Sequence, residues 1–348
     1  MSASSVPPIQ HAIRLLAMGG SLSEPESRAA FGSVMQGEAT PAQVAALLIG
    51  LRVKGETPDE VAGAADALRG AMVRLPAADS PNLVDTCGTG GGSVATFNIS
   101  TAAALLAAGL GVRIAKHGNR SFTTQCGSAD VLEALGVPID VSVDVMERAL
   151  RDAGIVFMFA PLMHPAMRHV GPVRRELAVP TVMNIIGPLA NPAGAGRQVV
   201  GVGDASRVPL IAGALRALGT VHALVVHGEP GMDEISPLGP THVIEIRDGA
   251  MHEWTMDPAR HGFPAGDADE LKGGTPVQNA AAVVAALTGT AAPTAVAAVV
   301  LNAAAALYVA PGGPSEFGDA IAVARRGLSD GAGLRALERL RAAHSSGL

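Results

Sequence analysis

The chain has 348 residues, with 25 Lys+Arg against 31 Asp+Glu, a net charge of −6, 48% hydrophobic and 3% aromatic content. That apolar fraction excludes global disorder, and the length exceeds what a single core usually fills, so two domains are expected. The acidic balance, with no basic run, argues against a nucleic-acid surface; two cysteines, Cys87 and Cys126, exclude a disulfide scaffold or a cysteine-only zinc site and suit the cytoplasm.

The first apolar stretch, Ile9 to Met18, is broken by Gln10, His11 and Arg14, and is not expected to be a secretory signal. The first seventy residues read as helices only. Pro7-Pro8 precede apolar Ile9, Ala12, Ile13 and Leu16 at helical spacing. Capping boxes open further helices at Ser23–Glu26, Thr40–Gln43 and Thr57–Glu60, with stops near Gly37, Gly55 and Met72. A helical domain over 1–75 is therefore expected, joined by helices from about 165–185, with Pro76–Pro81 as the connector to an α/β domain over 82–348. From Leu83 short strands alternate with helices: strands at 83–85, 112–115, 155–159, 198–201 and 223–226. A hairpin follows at 242–254 around Asp248-Gly249, and the chain reads as helical after Pro276. This alternation predicts an α/β fold, a mainly parallel central sheet flanked by helices. No charge occurs between Lys272 and Glu316, and Thr294 to Ala310 is apolar except for Thr294 and Asn302. Its alanine richness and the preceding Pro293 predict a buried helix of a soluble protein, with no membrane partner.

Four clusters carry candidate chemistry. Asp85 to Ser93 puts four glycines into a strand-to-helix loop, followed by Thr96, Asn98, Ile99, Ser100 and Thr101. Glycines admit close backbone approach, and a helix start adds unpaired N–H groups, so a phosphate or pyrophosphate site is expected. Ser93 breaks the dinucleotide fingerprint, and no Lys-Ser/Thr completes a P-loop. Lys116 to Thr124 follows the next strand, so it should emerge at the same sheet edge, where open α/β sheets bind ligands. It holds one of only three lysines, against 22 arginines. Asp233-Glu234 is an adjacent carboxylate pair suited to Mg²⁺. His164 to Leu177 supplies three arginines, any of which can meet a carboxylate, and lacks the glutamate of a helical zinc motif. Taken singly, each cluster also reads as an ordinary turn, a solvated loop or a set of surface ion pairs. Cys87 and Cys126 are expected on loops that face each other, which leaves two readings: a pair that cross-links under oxidation, or, more plainly, two quiet thiols.

Together these residues are familiar. Gly88–Gly91, Thr96–Thr101, Lys116–Ser121, Gly127–Glu133, Asn184–Pro192 and Met232–Glu234 occur in order, and the chain resembles the anthranilate phosphoribosyltransferase family over nearly its whole length. The resemblance implies transfer of a phosphoribosyl group from phosphoribosyl pyrophosphate to the amine of anthranilate, in tryptophan biosynthesis. It implies that Gly88, Gly91, Gly92, Thr96, Asn98, Ile99, Ser100, Thr101, Lys116, His117, Gly118, Asn119, Arg120, Ser121, Phe122, Thr123, Thr124 and Ser128 hold phosphoribosyl pyrophosphate. Gly88, Asn119, His164 and Arg174 would contact anthranilate. Ser100, Asp233 and Glu234 would hold Mg²⁺, as two ions, with Lys116, Asp233 and Glu234 as the catalytic set. A homodimer joined through the helical domains is also implied. The chain departs from the family pattern at Gly92, where an Asp is usual, at Cys126, where a hydroxyl is usual, and at Gln125, where a basic residue is common.

Three alternatives remain open from the residues. A pyrimidine nucleoside phosphorylase of the same fold lacks its base-binding lysine/serine signature here. A catalytically silent nucleic-acid-binding relative conflicts with the net charge of −6. A dinucleotide-dependent dehydrogenase fails at Ser93.

Overall fold

The computed structural model describes residues 6–77, 79–121 and 125–345. Its N-terminal part is four helices: α1 (Pro8–Ala17), α2 (Glu24–Met35), α3 (Pro41–Lys54) and α4 (Pro58–Gly70). Each carries proline in its first turn, where the missing N–H costs nothing. The boxes at the starts of α3 and α4 are reciprocal. Gln43 N–H donates to Thr40 Oγ1 (3.3 Å), and Thr40 N–H donates to the Gln43 side chain (2.9 Å). Glu60 repeats this with Thr57 and, fully buried, also accepts from Leu22 N–H (2.8 Å) and Lys54 Nζ (2.9 Å). One carboxylate thus ties three segments together. Phe31, Leu47, Leu48, Leu51 and Val61 fill the core between these helices.

The rest of the chain is β1 (Val84–Gly88), α5 (Ile99–Gly109), β2 (Ile114–Gly118), α6 (Ser128–Ala134), α7 (Val143–Asp152), β3 (Ile155–Phe159), α8 (Ala160–Met163), α9 (Gly171–Leu177), β4 (Arg197–Gly201), α10 (Val208–Ala217), β5 (His222–Gly228), β6 (Thr241–Arg247), β7 (Ala250–Met256), α11 (Pro276–Leu287), α12 (Pro293–Val309), α13 (Phe317–Ser329) and α14 (Ala332–Ser345). The seven strands form one sheet in the order β3-β2-β1-β4-β5-β6-β7. The pairs from β3 to β5 are parallel, and β6 and β7 add an antiparallel edge. The chain winds from β1 outward to β3, then returns to pair β4 on the other side of β1. Loops leaving β1 and β4 therefore diverge at a topological switch point, the crevice where such sheets take ligands.

One sheet face carries α5, α6 and α11–α14 around Leu105, Leu106, Val299 and Leu301. The opposite core joins the four N-terminal helices to Ala166, Val170, Val173, Met183 and Ile186, and to α10 and the sheet through Val200, Ile211 and Val225. The 165–185 segment thus packs with the N-terminal helices. The charge-poor stretch is α12, buried almost all round, and among the described residues no helix is long and apolar enough to cross a membrane.

β1 and β2 run three residues further toward the site than the sequence pattern predicts. β1 reaches Gly88, and β2 reaches Gly118, so Lys116, His117 and Gly118 lie in the sheet rather than in a loop. Polar residues mask the strand signal there, but the ladder continues: Lys116 pairs with Phe157, His117 with Met158 and Gly118 with Phe159. The expected facing cysteines are also corrected. Cys87, in β1, packs with the core that contains the N-terminal helices, whereas Cys126 packs in the core on the α5 side. Neither forms a disulfide, and burial pushes both thiols up, Cys126 to about 11.

Candidate active site at the switch point

The carboxyl ends of β1, β4 and β5 meet at one rim: Gly88 is in register with Gly201, and Gly201 with Val226. Beyond β5, the turn at 229–236 folds back over this rim. A Cβ on Gly88 would lie 2.9 Å from Asp233 Oδ2, and one on Gly201 would lie 1.7 Å from the Asp233 carbonyl. A Cβ on Gly203 would meet the backbone of Gly90, Gly91 and Gly92 within 2.8 Å. Glycine is thus required at 201 and 203 because two loops stack directly on the β4 end. The glycine loop is held to the acidic turn: Gly90 N–H donates to Asp233 Oδ2 (3.0 Å) and Ser93 N–H to the Gly231 carbonyl (2.7 Å). Thr89 Oγ1 accepts from Gly203 N–H (3.1 Å).

The start of α5 departs from expectation. Ile99 N–H donates to Phe97 (2.7 Å), and the N–H groups of Thr101 and Ala102 donate to Asn98 (3.1 and 3.2 Å). Ser100 N–H faces Glu234. The helix start is therefore largely spoken for, and open donors lie in the loop before it: the N–H groups of Gly91 and Gly92, like those of Val94, Ala95 and Thr96, have no partner among the described residues. Thr101 is turned inward: it is 1% exposed, its buried hydroxyl has no hydrogen-bond partner among the described residues, and it lines a small internal cavity with Lys116, Leu132 and Phe157. As the third residue of α5, its side chain faces the core rather than the cleft. Asn98 is braced by Asn279 Nδ2 (2.8 Å), and Thr96 lies against Gly273.

Lys116 is also enclosed, at 3% exposure. Its ammonium donates to the Thr86 carbonyl and to Ser100 Oγ (3.2 Å). Burial lowers its pKa, and Asp85, Cys87 and Glu234 oppose that shift. Glu234 is pushed up to about 8, first by burial and then by neighbouring Asp233; Asp233 is also raised by burial. Asp85, on β1 beside β2, accepts from Asn191 Nδ2 (2.7 Å) and His117 N–H (3.3 Å).

Past β2, Gly118 leaves room for Ser128 Oγ, which a Cβ would approach to 2.1 Å. Ser128 Oγ donates to the Asn119 carbonyl (3.3 Å). Arg120 points along the surface to Asp130 (2.9 Å) and Glu133 (2.5 Å). Burial alone would raise Asp130, but Gly127 N–H, Arg120 and Ser121 N–H hold it below the usual carboxylate range. Phe122, Thr123 and Thr124 lie outside the described residues.

On the side facing the helical layer, the rings of His117 and His164 lie 4.8 Å apart. Burial holds His117 down to about 3 and His164 to about 4. Neither His164 nitrogen makes a hydrogen bond among the described residues, although the Ala190 backbone lies close enough to oppose the burial effect. Arg174, on α9, is partly buried with no carboxylate in ion-pair range among the described residues, and burial lowers its pKa.

Family models match two stretches: the helical bundle domain of a glycosyl transferase family over residues 10–72, and the a/b domain of a glycosyl transferase family over residues 80–334. An anthranilate phosphoribosyltransferase of Anaeromyxobacter dehalogenans is 49% identical over 335 residues, covering 96% of this chain and 98% of its own. The chain belongs to the anthranilate phosphoribosyltransferase family. The crystal structure of the enzyme from Thermus thermophilus superposes with a TM-score of 0.90 at 40% identity, covering 98% of this chain and 100% of that one. The enzyme from Saccharomyces cerevisiae, solved in complex with PRPP and Mg, gives 0.86 at 26% identity, covering 97% and 98%.

Against that anthranilate phosphoribosyltransferase background, sequence reasoning missed Gly203 and Asn279, and gave no task to Gly201, read only as a strand end, or to Asn191, read only as part of the Asn184–Pro192 motif. Isolated glycines after a strand and single amides carry no local pattern; only the tertiary approach of two loops gives them a task.

Proposed function

We propose that the switch-point crevice holds phosphoribosyl pyrophosphate between the glycine loop and the acidic turn, with anthranilate entering from the α9 side. The protein transfers the phosphoribosyl group to the amine of anthranilate, releasing pyrophosphate, a step of tryptophan biosynthesis. The observation that carries the site assignment is the docking of Asp233 on Gly90 N–H, which joins two loops 143 residues apart.

Asp233, Glu234 and Ser100 form a hard-oxygen set, and the raised pKa values of the two carboxyls mark a pair short of counter-charge, which fits Mg²⁺. Among the described residues no group of three or more His, Cys, Asp or Glu side chains could hold a metal, so most of the shell falls to substrate oxygens and water. Two adjacent carboxylates suit two ions bracketing the pyrophosphate. Bound Mg²⁺ supplies charge compensation for the diphosphate. The protein does the rest. Gly91 and Gly92 N–H groups donate to phosphate oxygens, and Lys116 fixes Ser100 and adds positive potential below the leaving group. Arg174 takes the anthranilate carboxylate, Asn119 and Gly88 border the meeting point, and neutral His164 lines the route without repelling an aromatic amine. That amine is uncharged at pH 7, so its lone pair needs alignment more than activation.

A homodimer fits the helical layer, where Met18 (78% exposed) and Val53 (81% exposed) present large apolar side chains. A chain with only two cysteines, neither in a disulfide, goes with a cytoplasmic setting.

The test mixes purified protein, Mg²⁺ and phosphoribosyl pyrophosphate with anthranilate and follows the loss of anthranilate fluorescence. Loss that requires all components supports the reading. No loss, with turnover of thymidine and phosphate instead, replaces it with a nucleoside phosphorylase.

A further inference from the structure

α12 has one buried amide in its interior, Asn302, 4% exposed. Its side chain grips the backbone of Ile235, the residue that follows Asp233-Glu234. Asn302 Oδ1 accepts from Ile235 N–H (2.9 Å), and Nδ2 donates to the Ile235 carbonyl (2.9 Å) and to the Ala298 carbonyl (2.9 Å). The amide thus replaces a strand partner for a single residue, and all its bonding capacity along that edge is used. On the other side of the same turn, Ser93 Oγ donates to the Pro230 carbonyl (2.8 Å), and Ser93 N–H donates to the Gly231 carbonyl (2.7 Å). Gly231 has φ +112°, and a Cβ there would lie 2.3 Å from Ser93 Oγ, so the seat is shaped for this hydroxyl. The two acids lie between these grips, one from the core helix and one from the glycine loop.

We propose that Asn302 and Ser93 are positioning residues that fix the acidic turn against the glycine loop and so set the geometry in which the divalent cation and the diphosphate are held together. Neither residue needs to touch substrate. Asn302 fixes the turn to the rigid α12, and Ser93 fixes the distance from Asp233 to Gly90–Gly92. This inference rests on the site assignment above.

Calorimetric titration of phosphoribosyl pyrophosphate in the presence of Mg²⁺ is the deciding measurement, run on wild type, Ser93→Ala, Ser93→Thr and Asn302→Leu, with steady-state KM for anthranilate alongside. Wild type that fails to bind phosphoribosyl pyrophosphate with Mg²⁺ overturns the site assignment itself. If wild type binds, Ser93→Ala is expected to weaken binding about tenfold and Asn302→Leu more, with anthranilate KM within twofold of wild type; Ser93→Thr, which keeps the hydroxyl, restores the titration. Asn302→Leu leaves the Ile235 groups unpaired and can lose the fold. In that case Ser93→Ala, which lies at the surface, decides alone. Ser93→Ala with a wild-type titration, or weakened equally toward both substrates, overturns the proposal.

Discussion

Two acids near opposite ends of β5, Glu245 buried and Glu234 partly buried, have contrasting surroundings. Glu245, on β6, hydrogen-bonds His222 (2.9 Å), Trp254 Nε1 (3.1 Å) and the Tyr308 hydroxyl (3.2 Å). Burial alone would raise its pKa, but those partners more than offset it, and the group sits below the usual carboxylate range. Glu234, past the other end of the strand, has the Ser100 N–H, Lys116 and a like-charged neighbour, and burial with that neighbour drives it up to about 8. A completed set of partners marks a structural acid. An incomplete set marks one that awaits a counter-charge from outside the chain.

Substitutions at each end should separate these two roles. The largest effect is expected from Asp233→Asn with Glu234→Gln: turnover should fall by about 10²–10³, the scale of losing preorganised electrostatic stabilisation, while the fold survives. A wild-type rate across a magnesium titration would remove the metal role. Next, Glu245→Ala should cost about 3 kcal/mol of stability, since it strands several buried polar groups, and leave turnover within about twofold; urea unfolding with a parallel rate assay checks both halves. Arg174→Ala should raise the KM for anthranilate roughly tenfold or more, the loss of a charge-assisted contact worth about 1.5–3 kcal/mol, and leave that for phosphoribosyl pyrophosphate nearly unchanged.

A smaller effect concerns pH. His117 and His164 are held near 3 and 4, below the ordinary 6.5, so the unfolded chain takes up protons first as the pH falls. Stability is full above about 6.5 and declines toward the folded values, by up to about 1.4 kcal/mol per pH unit for each ring. The His117→Asn, His164→Asn double variant should flatten that slope in denaturant melts between neutral and acid pH. Glu234 runs the other way: raised above 4.5, it favours the fold at low pH, and this benefit is lost as pH rises through about 8. In Mg²⁺-free buffer at neutral pH, Glu234→Gln should therefore stabilise by on the order of 1 kcal/mol, seen as a higher melting temperature. A lower one would mean that the acid already has its partners.

Much of this was legible before any coordinates. Capping boxes at Ser23, Thr40 and Thr57 place three helices because a short sequence contains both halves of each reciprocal bond. The alternation after Leu83 gives the parallel sheet, and the glycine loop and acidic pair are local signals that the fold brings to one rim. What local pattern missed is long-range. Lys116 and His117 look like loop residues until the pairing with β3 shows them to be strand. Thr101 looks like one more hydroxyl at the site until the helical phase turns it inward. The open N–H groups expected at the start of α5 lie instead in the loop, because Phe97 and Asn98 supply carbonyls to the helix start. Gly201 and Gly203 become intelligible only when a second backbone is seen resting on them.

The placement of the chain's one tryptophan has a practical consequence. Trp254, on the edge strand β7, lies in the Glu245 cluster, edge-on to Phe317 at 5.5 Å and separated from β5 by β6. Its emission is a built-in gauge of whether the scaffold is intact, read at the sheet edge rather than at the β1–β4 rim where the aromatic reactant's own glow fades. A single sample viewed at two wavelengths can therefore tell a variant that has stopped reacting from one that has come apart.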